Sequence, residues 1–243
     1  MGIEIPSTGE ETSLGRRFPL SPWLSVQGMD WTELTHGFRP EVLPKGAILY
    51  RQGALSSEMF LIQEGRVQLE CCSASGKKRA IYVVSGQLTM GEAGAMFGGS
   101  HDFQAVAVSQ CLVYRIPAVE FRRRVESSAA LAAQVLQVAA RKGQVLAKLL
   151  TLNSLLELPA RLAYALLDLV PQYGVPEGDG VLITLRFTHQ EMADLLGVSR
   201  VAVTQGLLEF TRQGLLEKRN GLYFIPSLSA LEDCRAGRTA GAG

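Results

Sequence analysis

The sequence predicts an α+β protein in three parts: an all-β N-terminal domain, one long helix, and a small C-terminal domain of two short helices and a hairpin. Three observations carry that prediction. Glycines punctuate short runs of β-branched and aromatic residues over residues 43–117. A heptad-spaced apolar seam runs through residues 127–152. A capping box, a turn glycine and a second N-cap follow one another between Thr188 and Ser199.

Composition sets the bounds. Of 243 residues, 47% are hydrophobic and 19% charged, ample for a buried core. Lys plus Arg is 24 against 23 Asp plus Glu, so no global charge marks a nucleic-acid or membrane partner. After residue 155 there are 8 basic and 10 acidic residues, so any DNA contact there must come from a local patch. Cys71, Cys72, Cys111 and Cys234 are too few and too irregular for a disulfide framework. Zinc-type Cys/His spacing is absent, and no metal site is expected. No apolar run approaches the ~18 residues of a membrane span. No basic-then-apolar leader opens the chain, so a cytoplasmic location is expected.

Taken in order, residues 1–22 are polar and turn-forming and read as a flexible N-terminal tail, with Trp23 and Leu24 the first anchor to a core. In the sensor domain, residues 23–126, runs such as Met59-Phe60-Leu61-Ile62, Ala80-Ile81-Tyr82-Val83-Val84 and Cys111 to Ile116 read as strands. Their even spacing between glycines suggests a barrel or sandwich. Over residues 127–155, Leu131, Val135, Val138, Val145, Leu149 and Leu152 form a narrow seam with Lys142 at the missing heptad position. That width predicts a homodimer, with Leu136, Ala139, Leu146 and Leu150 packing on the β-domain. Pro159 follows a break in periodicity, which predicts a hinge near Asn153 and a second helix from Ala160 to Leu169. Tyr173 to Gly180 reads as a loop, and Ala236 to Gly243 as a flexible C-terminal tail.

The C-terminal domain, residues 156–235, holds the most informative motif. Thr188 and Glu191 make a T-x-x-E capping box, Met192, Leu195 and Leu196 an apolar helix face, and Gly197 a stop. Ser199 then caps a second helix whose inward positions are Val203, Leu207, Leu208 and Phe210. Asn220-Gly221 between two apolar runs is a hairpin signal, so the whole reads as a winged helix-turn-helix. Ser199, Arg200, Val201, Ala202, Thr204 and Gln205 lie at or near the start of the second helix, where base edges are read. Arg suits guanine, Gln suits adenine, and Ala or a Thr methyl suits the thymine methyl. Thr188, His189 and Gln190 on the first helix, and Lys218 with Arg219 on the wing, are expected beside the DNA backbone. Double-stranded DNA is the expected partner; a non-DNA regulatory interaction module is the alternative. Arg122-Arg123-Arg124 and Lys77-Lys78-Arg79 read as solvated surface.

The whole order resembles the cAMP receptor protein and fumarate-nitrate-reductase regulator (CRP/FNR) family. Pro44 to Gly53, Met59 to Val67, the turn Gly91-Glu92-Ala93-Gly94, and the Thr188–Glu191 and Gly197–Arg200 segments carry the likeness over residues 23–233. The resemblance implies a cyclic-nucleotide-binding-like β-roll, a dimerisation helix and a winged helix reading an inverted repeat. It also implies a small-molecule effector, RNA polymerase as a partner, and no catalytic residues.

The departures from the family matter as much. Nucleotide-binding members hold the cyclic phosphate with an Arg and a following hydroxyl about ten residues after the Gly-Glu turn. Here His101-Asp102-Phe103-Gln104 stands in that neighbourhood, and no Arg occurs between Gly91 and Tyr114. An Asp repels a phosphate, and residues 139–150 hold no Ser or Thr to grip the base, so cAMP is not expected. Gly91, Glu92, His101, Asp102, Phe103 and Gln104 mark the effector pocket. An iron–sulfur cluster is not expected, because no Cys precedes Cys71. Haem is the alternative, with His101, Cys71, Cys72, Cys111, Met90 and Met96 as axial candidates. A metal-dependent oxygenase of similar β-fold would need clustered His, and the three His are scattered. Val201 and Gln205 stand where familiar members place Glu and Arg, so an operator other than TGTGA is expected.

Overall fold

A computed structural model describes residues 23–26, 28–73 and 78–237. The two tails proposed from sequence lie outside these residues, apart from Ala236 and Gly237. The chain runs β1 (Trp23–Leu24), α1 (Thr32–Thr35), β2 (Glu41–Leu43), β3 (Ile48–Tyr50), β4 (Glu58–Glu64), β5 (Arg66–Cys72), β6 (Lys78–Ser85), β7 (Leu88–Met90), α2 (Glu92–Phe97), β8 (Gln104–Ala107) and β9 (Cys111–Pro117). Helices α3 (Ala118–Ser127), α4 (Ala129–Leu155) and α5 (Leu158–Tyr173) follow. The winged helix is β10 (Gly174–Glu177), β11 (Gly180–Ile183), α6 (His189–Leu196), α7 (Arg200–Arg212), β12 (Glu217–Arg219), β13 (Leu222–Ile225) and α8 (Leu228–Arg235).

The β-roll is two sheets, ordered β1-β6-β5-β8-β3 and β2-β9-β4-β7. Met59, Phe60, Leu61 and Ile62 of β4 are all buried, because one sheet face meets the core while α2 and α3 cover the other. That is why this run is continuously apolar instead of alternating. Gly65 turns β4 into β5 at φ +87°, and a Cβ there would sit 2.3 Å from the Gln110 carbonyl. Only glycine fits that close approach.

The long helix corrects the sequence reading of its two faces. Leu131, Val135, Val138 and Val145 are buried in the chain's own β-roll core, with Leu149 packed against it. They are therefore withdrawn from any contact between subunits. Leu152 is half-buried. The stripe expected to pack inward faces solvent instead: Leu136 is 68% exposed, Leu146 42% and Leu150 71%. Leu136, Ala139, Gly143, Leu146 and Leu150 repeat at spacings of three and four, a heptad seam of their own. The physical reason for the exchange is Lys142, which lies on the buried face because its ammonium has a partner there, Glu92 of α2.

The break between helices falls at Leu156-Glu157, three residues beyond Asn153, and α5 reaches Tyr173 through Pro171. Its missing amide is tolerated in the last turns, and the Gly174 N–H closes the helix on Val170. The Tyr173–Gly180 segment is a strand hairpin, not a loop, because β11 pairs with β13 and extends the wing into the sheet β10-β11-β13-β12.

The winged helix rests on the β-roll. Trp23, Ala80 and Val83 share one buried cluster with Leu162, Leu166, Leu195 and Phe210. Lys148 pairs with Asp168 at 2.7 Å across the α4–α5 corner. Arg161 donates to Asn153 at 2.8 Å and to the Leu196 carbonyl at 2.9 Å, tying that corner to the end of α6. Among the described residues no helix is long and apolar enough to cross a membrane.

Candidate nucleic-acid interface and effector pocket

The helix-turn-helix is fixed locally by the residues that specify it. The Thr188 hydroxyl accepts from the Glu191 amide at 3.1 Å while the Glu191 carboxylate accepts from the Thr188 amide at 2.6 Å. Gly197 stops α6 at φ +66°, with the Arg79 guanidinium of β6 packed against it. Ser199 caps α7 by accepting from the Ala202 amide. Val203, Leu207 and Phe210 turn inward, but Leu208, expected beside them, is 63% exposed because it lies one position round the helix from the buried stripe. Ser199, Arg200, Val201 and Gln205 are left exposed, with Ala202 and Thr204 half-buried. Asn220 at φ 50° and Gly221 at φ 80° give the wing its tight turn and place Lys218 at the surface.

Three of the expected contacts, His189, Thr204 and Arg219, are engaged within the domain. Both ring nitrogens of His189 are engaged, Nδ1 with Thr204 Oγ1 and Nε2 with Tyr223 Oη, each at 2.8 Å. Thr204 already donates to the Arg200 carbonyl, so it accepts from Nδ1–H and Tyr223 donates to Nε2. Burial, reinforced by the charges of Lys218 and Arg200, holds the His189 pKa below its ordinary value and keeps the ring neutral. His189 is thus a strut between α6, α7 and the wing, and the Thr204 hydroxyl is spent on His189 and the Arg200 carbonyl. Arg219 is likewise paired with Glu177 and Glu217 and stacked on Phe224. Gln190 donates to Asp194 and Thr188 is exposed, so both stay on the outer face of α6.

The expected effector residues converge in part: Gly91 and His101 both flank the Tyr50 ring. Gly91 starts α2 at φ 84°, and Glu92 behind it is buried with its Oε1 2.6 Å from Lys142 Nζ. Burial opposes the charge on Glu92, but the Lys142 ammonium outweighs it and holds the carboxyl below its usual range. Lys142 also donates to the Thr89 carbonyl at 2.7 Å. The His101 ring is buried and stacked on Tyr50 at 3.9 Å. Asp102 and Phe103 are at the surface, and the Gln104 amide is spent on the Glu70 carboxylate beside Gln68. Of the axial candidates, Met90 is buried in the core and the Cys111 thiol donates to the Arg66 carbonyl. Among the described residues no group of three or more His, Cys, Asp or Glu is placed to hold a metal ion.

Two family models match in tandem: the cyclic nucleotide-binding domain over residues 40–128 and the Crp-like helix-turn-helix domain over residues 160–234. The chain belongs to the CRP/FNR family. Among curated CRP/FNR relatives, the cyclic AMP receptor protein of Thermus thermophilus is 26% identical over 86% of this chain and 99% of its own. The CRP-like cAMP-activated global transcriptional regulator of Mycobacterium tuberculosis is 23% identical over 74% and 81%. In solved structures, a CooA mutant from Carboxydothermus hydrogenoformans matches with a TM-score of 0.72 at 20% identity, covering 85% of this chain and 91% of that one. FixK2 from Bradyrhizobium japonicum matches at 0.70 and 15%, covering 85% and 99%. At these identities the structural matches establish the fold.

Sequence reasoning missed Lys142, Tyr223 and Arg161. Lys142 was signalled by its seat in an apolar seam, where a charge must have a buried partner. Tyr223 and Arg161 gave no signal, because their roles depend on contacts 34 and 35 residues away.

Proposed function

We propose that this CRP/FNR-family chain is a cytoplasmic, homodimeric transcription regulator that reads an inverted-repeat operator through α7. The carrying observation is the start of α7, where Ser199, Arg200, Val201 and Gln205 stand exposed on a helix capped by the Ser199 side chain, with Lys218 exposed on the wing. A capped helix N-terminus with an Arg at its first turn can meet backbone phosphate and a guanine edge together. Dimerisation through Leu136, Ala139, Gly143, Leu146 and Leu150 is supported by their solvent exposure and heptad spacing. Two-fold symmetry would then present two copies of α7 to major grooves about 34 Å apart.

The β-roll is proposed not to take cAMP, although two relatives are named for it. The Lys142–Glu92 ion pair fills the ground beside the Gly-Glu turn, and Asp102 and Phe103 stand in the surface loop where an Arg and a hydroxyl would grip phosphate.

Fluorescence anisotropy of genomic and random DNA fragments at two salt concentrations tests the reading. The expected result is tight binding to a subset of fragments that weakens steeply with salt. Absence of any salt-dependent binding would overturn it in favour of a protein-interaction module.

A further inference from the structure

Between the β-roll and the winged helix lies a cleft of about 700 Å³, distinct from the neighbourhood of Glu92 and Lys142. Three turns of the β-roll converge on it, at Gln63–Arg66, Ser85–Gln87 and Ser109, and the end of α5 with Leu185 closes the far side. Among the described residues of the lining, Arg66 is the one that carries a charge, and none is a carboxylate. Around it stand the amides of Gln63, Gln87 and Gln172 and the hydroxyls of Ser85 and Tyr173.

Several of these groups are prepared but unused. The half-buried side-chain amides of Gln63 and Gln87 have no hydrogen bond among the described residues. Gln87 holds φ 59°, one of two non-glycine residues with positive φ among those described. Its backbone is pinned from both sides: its amide donates to the Ile62 carbonyl at 2.6 Å and its carbonyl accepts from Trp31 at 2.8 Å. Backbone held in that sparsely populated region, next to uncommitted donors, is a feature of ligand sites. Arg66 reaches the Arg186 carbonyl only at 3.4 Å, and the remainder of its guanidinium fork is uncommitted. Across the cleft, Tyr173 Oη lies 3.3 Å from Ser85 Oγ and accepts from Gln172 at 2.9 Å.

We infer that this cleft is a binding site for a small organic anion, a carboxylate or phosphate ester held by Arg66 and the surrounding amides and hydroxyls. A guanidinium fork suits either anion, and the volume matches a metabolite the size of a mononucleotide. Its occupant would bridge β-roll turns to the end of α5, and so fix the winged helix relative to the sensor domain. The site stands apart from the DNA reading, because its occupancy is measured without DNA.

The test is isothermal titration calorimetry of the full chain with citrate and with adenosine monophosphate as probes. Three proteins are compared: the unaltered chain, Arg66→Gln, and the double variant Glu92→Gln/Lys142→Met. The expected result is one probe molecule per chain, at least tenfold weaker binding in Arg66→Gln, and unchanged binding in the double variant. Hydrogen exchange in the bound state should slow at residues 63–66, 85–87 and 172–173. Failure of both probes to bind at millimolar concentration would overturn the inference. So would binding indifferent to Arg66, or binding lost in the double variant, which would place it beside α2.

Discussion

Separating Lys142 from Glu92 is the most informative perturbation of the β-roll. Both side chains are buried, their atoms lie 2.6 Å apart, and Lys142 also satisfies the Thr89 carbonyl. Lys142→Met keeps the packing volume but strands a carboxylate in the core. Removing one partner of a buried pair costs about 3–5 kcal/mol. At about 2–4 °C per kcal/mol for a chain of this size, the melting temperature should fall by roughly 6–20 °C. Glu92→Gln should also destabilise, because it leaves the ammonium unpaired. The double variant Glu92→Gln/Lys142→Met removes both charges and should return to within about 1–2 kcal/mol of the starting protein. Urea denaturation of the four proteins gives the cycle. The pH dependence carries a sign: the Glu92 pKa is lower folded than unfolded, so the pair's stabilisation is present above the ordinary value of 4.5 and is lost as pH falls through the folded value. Additive single effects, with the double variant least stable of all, would refute the pairing and with it the explanation of why α4 turns this face inward.

Leu146→Glu should yield a folded monomer by light scattering, whereas Val138→Glu should abolish cooperative unfolding, since only the second side chain is buried within the chain. Val201 is 64% exposed on the reading face, where the thymine methyl is the apolar group of the major groove. Replacing the contacted thymine by deoxyuridine should weaken binding about fourfold, from about 0.8 kcal/mol per methyl, and Val201→Ser should be insensitive to the exchange. His189 is depressed below its ordinary value of 6.5, so the winged helix should be fully stable above that pH and lose stability as pH falls through the folded pKa. His189→Gln should flatten the difference in urea midpoint between pH 7.5 and pH 5.

Much of the fold was legible because local chemistry dictated it. Thr188, Glu191, Gly197 and Ser199 fix the two-helix motif through bonds spanning three residues, and Asn220-Gly221 fixes the wing through backbone angles. Where long-range packing decided, sequence reasoning faltered. The heptad over Leu131 to Leu149 and the one over Leu136 to Leu150 are equally good patterns, and contacts with the β-roll, the Lys142–Glu92 pair among them, determine which is covered. Lys142 could have broken that tie: a lysine within an apolar seam points to a carboxylate on the packed surface. His189 was ambiguous for a similar reason, since its partners lie on α7 and β13. The Tyr173–Gly180 hairpin was hidden by Gly and Pro, which an edge strand such as β10 tolerates.

Sequencing of DNA selected from a random library by the full chain measures the central claim most directly. The account predicts an enriched inverted repeat whose half-site centres are one helical turn, about 10–10.5 base pairs, apart or a multiple of that. Arg200→Ala should relax preference at a single base position per half-site, while Leu146→Glu should abolish enrichment of the repeat. Enrichment of lone or directly repeated sites, or of nothing at all, would contradict it.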